Sequence, residues 1–112
     1  MSRIVAEIAV VPVGTKSPAL SEHVARAVRA VERAASEGKV KYQVTPAGTV
    51  VEGEPDQVWE VMRQIHEATF SDEVQRVVTV IKVDERRDVE HGMERKLRAV
   101  EERGVKLEGG AA

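Results

Sequence analysis

Two carboxylates and two threonines are the side chains whose types and settings point to chemistry. Glu7 interrupts an otherwise apolar run from Ile4 to Val11, and Glu52 closes the short run Thr49 to Glu52. A carboxylate embedded in apolar strand must find a cation or a hydrogen-bond donor, from the protein across an interface or from a ligand. Thr15 and Thr49 each end a P-x-G-T phrase, Pro12-Val13-Gly14-Thr15 and Pro46-Ala47-Gly48-Thr49. Proline removes a ladder donor and glycine permits positive φ, so each phrase reads as a strand end with a sharp turn. Each hydroxyl then either caps its own turn or faces a ligand. The main chain of Val10 is a further candidate, because a strand bending before Pro12 leaves a carbonyl or amide without a ladder partner.

Other chemistries find no residues. Cysteine is absent, which removes thiolates, disulfides and cysteine-ligated metals. His23, His66 and His91 fall on three different expected helices, and none has the i, i+4 spacing of a zinc-binding helix. No nucleophile elbow, phosphate loop or dinucleotide fingerprint occurs. No catalytic residue, metal or cofactor is therefore expected. A net charge of −2 provides no footprint for nucleic acid. No apolar stretch approaches the roughly 18 to 20 residues of a membrane span, and Met1-Ser2-Arg3 leads into Ile4 without a signal segment. A cytoplasmic location is the expectation. Arg86-Arg87, flanked by acids, is expected to form a solvated or intersubunit ion-pair patch.

The elements that must position the candidates follow from hydrophobic period. Ile4 to Val11 is a strand apolar on both faces. A helix follows with the stripe Leu20, Val24, Ala27, Val28, Val31 and Ala35, started by Ser17-Pro18 and stopped at Gly38. Val40, Tyr42 and Val44 alternate with Lys39, Lys41 and Gln43 as a strand with a charged edge. After the second phrase come a short strand, Thr49 to Glu52, and a helix with the stripe Val58, Val61, Met62 and Ile65. Arg76 to Val83 is the fourth strand, and Val89 to Arg103 a third helix with a thin apolar stripe, Met93, Leu97 and Val100.

The order β-α-β-β-α-β plus a C-terminal helix predicts an α+β, ferredoxin-like antiparallel sheet of strand order 4-1-3-2. The expected organisation is one domain over residues 1–104 with a frayed tail, 105–112. This topology places both P-x-G-T phrases at the same end of the sheet, near the start of the first helix. Helices cover one face only, whereas the first strand is apolar on both. A second copy packed sheet on sheet, as a homodimer or homotetramer, is the expected cover, with an area on the order of 1,600 Å².

These residues together resemble the small thiamine-binding (YkoF-like) family. The resemblance rests on Ala6-Glu7 in the first strand, both P-x-G-T phrases, Val51-Glu52-Gly53, His66-Glu67 and the segment Arg76 to Asp88, and it spans Ile4 to about Arg103. Departures lie at the rim: Ala47 stands where members commonly carry Met, Glu85 where they carry Asp, and Pro18-Ala19 displace the serines near the first helix. The resemblance implies a ferredoxin-like fold, homodimers that pair into tetramers, and non-catalytic binding of thiamine or its pyrimidine moiety. With the resemblance added to the residue readings above, the expected ligand-binding set at the subunit rim is Glu7, Val10, Thr15, Thr49 and Glu52, Glu7 accepting from an aminopyrimidine. An RNA-recognition module of the same fold would carry aromatics on the central strands; Tyr42, Trp59 and Phe70 all lie elsewhere. A regulatory module binding an amino acid is the remaining alternative.

Overall fold

The computed structural model describes residues 3–89 and 92–111. Its elements are β1 (Ile4–Val13), α1 (Ser21–Ser36), β2 (Val40–Thr45), β3 (Gly48–Gly53), α2 (Pro55–Thr69), β4 (Arg76–Glu85) and α3 (Met93–Glu101). The strands form one antiparallel sheet in the order β2-β3-β1-β4, which is the expected 4-1-3-2 order counted from the opposite edge.

Strand alternation divides β1 between two environments. Ile4, Ala6 and Ile8 face α1 and α2 and are buried with Val40, Val51, Ala27, Val31, Val58, Met62 and Ile65 in one core. Glu7, Val11 and Val13 face the other way and are exposed. The doubly apolar first strand is thus covered by helices on one face and open along much of the other.

Small residues set how closely α1 sits on this core. Its buried positions are His23, Ala27, Ala30, Val31 and Ala34, a stripe rotated from the expected one, with Val28 and Ala35 at its margin. The Ser17-Pro18 start is corrected. Ser17 Oγ accepts the Ala19 N–H at 3.1 Å in a local turn, and the helix begins at Ser21. A side chain bonded to backbone two residues on closes its own turn and leaves no helix cap. The stop at Gly38 is as expected. Its φ of +75° lets Gly38 N–H reach Ala35 O and Lys39 N–H reach Ala34 O, which satisfies the last carbonyls.

Arg26 ties the two helices together. Its Nε and Nη2 donate to Ala68 O and Thr69 O, each at 3.1 Å, at the C-terminal end of α2. Carbonyls there have no intrahelical donor and carry partial negative charge, so a guanidinium is a suitable partner. His23 Nδ1 lies 3.2 Å from the same Nη2.

Candidate functional site

The two P-x-G-T phrases have different structures. Gly14 adopts φ +80° and turns the chain as expected. Gly48 does not have positive φ; it is the first residue of β3, and the β2–β3 turn is made by Pro46-Ala47. Thr45 Oγ1 accepts from Ala47 and Gly48 N–H and donates to Gly48 O. A glycine is needed at 48 for another reason: a Cβ there would lie 2.9 Å from Ile8 O. Both phrases are at one end of the sheet, yet they do not converge. Pairing of β1 with β3 ends at Ile8–Thr49, while β1 runs on to Val13 beside β4.

Parity sorts the candidate residues. Glu7 and Glu52 lie on the open face, separated by Val50, the direct partner of Glu7. Thr49 lies on the helix-facing side of β3 and is buried. Val10 is also on the helix-facing side of its strand, opposite Thr79. Thr15 is outside the sheet, and its hydroxyl donates to Ser17 O at 2.7 Å. Within one subunit the structure brings Glu7 and Glu52 to one surface and leaves Val10, Thr15 and Thr49 away from it.

The carboxylate of Glu52 is already engaged. Its side chain is 7% exposed, and Oε2 accepts the Met93 N–H at 2.6 Å, at the start of α3. Oε1 lies 3.8 Å from Arg3 Nη2 and 3.9 Å from Lys41 Nζ. Glu52 thus receives one of the helix's unsatisfied N–H groups at its positive end. A second tie, the Lys96–Asp84 ion pair, joins α3 to β4. None of the residues of α3 is buried, so these polar contacts position it across the end of the open face that holds Val5, Glu52 and Asp84.

Between α3 and the sheet lies a cavity of about 950 Å³. Val5, Glu7 and Val50 form its floor, Gln43 and Lys82 its flanks, and Leu97 with Val105 and Leu107 its far wall. The volume suits a single small organic ligand. Glu7 faces Lys82 directly across the β1–β4 ladder, yet among the described residues neither makes a hydrogen bond or ion pair. An unengaged carboxylate and an unengaged ammonium on an apolar floor can accept from one end of a ligand and donate to the other.

Several of these residues carry no sequence signal strong enough to single them out. Gln43 reaches the site because the two-residue Pro46-Ala47 turn fixes its register opposite Val50. Residues 105–108, expected as frayed tail, lie along the cavity. Of the histidines, His23 contacts Arg26, and His66 Nδ1 lies 2.6 Å from Thr79 Oγ1 and stacks edge-on to Phe70 at 5.3 Å. His91 lies outside the described residues. The basic patch is locally paired: Arg86 binds Asp88, holding its carboxyl below the usual range, and Arg87 binds Glu85.

The class the fold defines is a split-βαβ, ferredoxin-like domain with a helix laid over its open face and a ligand-sized space between them. Residues 6–101 match the family model described as thiamine-binding protein, and the chain belongs to that family. It is 40% identical over 96 residues to the UPF0045 protein YqgV of Bacillus subtilis, covering 86% of this chain and 92% of that one. A UPF0045 protein of Methanothermobacter thermautotrophicus is 38% identical over 101 residues, covering 89% and 98% of the two chains. The crystal structure of MJ1052 from the methanogen Methanocaldococcus jannaschii superposes with a TM-score of 0.80 at 33% identity, covering 91% of this chain and 99% of the other.

Proposed function

We propose that this protein binds thiamine, or a related pyrimidine, without transforming it, in the cavity beneath α3. Glu7 accepts hydrogen bonds from the ligand's amino group, and Val5, Val50 and Leu97 flank its ring. The observation that carries the reading is the unengaged Glu7 carboxylate on the floor of a ligand-sized cavity, in a chain of the thiamine-binding family. Glu7 is exposed in the free protein, and a ligand that donates to its carboxylate replaces the water lost on binding with a charge-assisted hydrogen bond.

The reading includes a homo-oligomer and, consistent with a cysteine-free composition, a cytoplasmic setting. Sheet-to-sheet packing would use the part of the open face beyond α3, where Val11, Val13, Val78 and Val80 are exposed. Ala9→Lys would then dissociate the assembly, since a charge would face a dry interface.

One observation favours the amino-acid alternative. Glu7 and Lys82 are opposed charges on neighbouring strands, and a zwitterion could join them. Titration calorimetry against thiamine, its phosphates, hydroxymethylpyrimidine and a panel of amino acids separates the two. Saturable heat with the pyrimidines and none with amino acids supports the proposal; binding of an amino acid alone overturns it.

A further inference from the structure

The second side of α3 carries charge that the subunit leaves unsatisfied. Met93, Lys96, Leu97 and Glu101 fall toward the cavity described above, whereas Glu94, Arg95 and Arg98 fall toward β2. There a separate cavity of about 450 Å³ lies between α3, β2 and the residue that precedes β1. Four cations, Arg3, Lys41, Arg95 and Arg98, and two carboxylates, Glu52 and Glu94, line it. The acids do not satisfy the bases. Glu52 commits Oε2 to the Met93 N–H, and its Oε1 stands 3.8 Å from Arg3 Nη2 and 3.9 Å from Lys41 Nζ, beyond hydrogen-bond length. The side chains of Glu94, Arg95 and Arg98 make no hydrogen bond or ion pair among the described residues.

We propose that this second cavity binds a phosphate-class anion, either free phosphate or pyrophosphate or the phosphate of a larger ligand. The cations outnumber the carboxylates by two, which suits a dianion. Guanidinium groups present paired N–H donors that match phosphoryl oxygens, and the lysine adds a compact charge. A carboxylate offers two oxygens to these cations, whereas a phosphate offers three or more strong acceptors. Neither Arg95 nor Arg98 has a bond to break before it receives one.

The position gives the anion a consequence. Arg95 and Arg98 belong to α3, while Lys41 belongs to β2 and Arg3 leads into β1. An anion shared among them bridges the helix to the sheet beside the Glu52 contact, and so holds α3 over the larger cavity. The site stands independently of what the larger cavity binds.

Titration calorimetry of the intact chain with inorganic phosphate and pyrophosphate, at an ionic strength fixed by chloride, tests the site. Saturable heat is expected, and Arg95→Gln/Arg98→Gln should weaken binding at least about tenfold. Both side chains are exposed and unpaired and glutamine is a good helix former, so amide exchange across residues 93–101 should match wild type without anion. Lys41→Gln should also weaken binding, and from β2 it cannot act by unravelling α3. Arg29→Gln, in α1 on the other side of the sheet, controls for net charge and should bind as wild type does. At about ten times its Kd, pyrophosphate should slow exchange across residues 93–101 about tenfold, because opening α3 dismantles the site. Thiamine diphosphate identifies the source of the phosphate. If the double variant loses affinity for it and not for thiamine, the anion is part of the larger cavity's ligand; if pyrophosphate alone is affected, the anion is separate. Either result supports the site. Absence of saturable heat with both inorganic anions, equal weakening in Arg29→Gln, or unchanged α3 exchange at saturation overturns the proposal.

Discussion

Replacing Glu52 with alanine is expected to release α3 while leaving the core folded. The side chain accepts the Met93 N–H at 2.6 Å and stands near Arg3 and Lys41, at 7% exposure. A hydrogen bond to a charged acceptor contributes about 1.5–3 kcal/mol. Little else opposes opening, because α3 buries none of its residues and a helix this short is marginal alone. Loss of that contribution should speed amide exchange across residues 93–101 roughly ten- to a hundredfold, while β1 and β3 amides keep their protection. Glu52→Gln retains an acceptor oxygen and should fall between wild type and alanine. Hydrogen exchange read by mass spectrometry resolves the segments. Unchanged exchange in α3 of the alanine variant would refute the reasoning that Glu52 anchors this helix, and so would equal acceleration in β1.

Further outcomes follow from single contacts. Glu7→Gln should weaken thiamine binding by about tenfold, by calorimetry, with no change in melting temperature, because the side chain is exposed and unpaired in the free protein. Thr49→Val, at a buried helix-facing position without a hydrogen bond, should leave ligand affinity unchanged; a loss of affinity would return Thr49 to the site. Arg26→Ala removes both donors to Ala68 O and Thr69 O and should cost about 2–4 kcal/mol in urea unfolding. Gly48→Ala sets a Cβ 2.9 Å from Ile8 O and should cost about 1–3 kcal/mol, a neutral result arguing against close approach there.

The strand order was legible because each element announces its period: Ile4, Ala6 and Ile8 alternate inward, and Val58, Val61, Met62 and Ile65 repeat along a helix. Glu7 and Glu52 were legible as carboxylates in apolar strands. The two P-x-G-T phrases share letters and not environments. Gly14 needs positive φ, whereas Gly48 needs only the absence of a Cβ against Ile8, and the difference depends on register. Thr79 meets His66 through a pairing that no local pattern encodes. The far wall of the cavity was legible only in part, for a related reason. Leu97 sits on the thin stripe of the third helix but Leu107 follows no period, and both line the cavity because Glu52 and Asp84 hold α3 against the sheet across long sequence separations.

Amide chemical-shift mapping during a thiamine titration tests the central claim most directly. The account predicts saturable shifts at Val5, Glu7, Val50, Lys82 and Leu97, and their loss in Glu7→Gln at the same ligand concentration. Shifts confined to the Gly14–Thr15 turn, or the absence of any saturable shift, would contradict it.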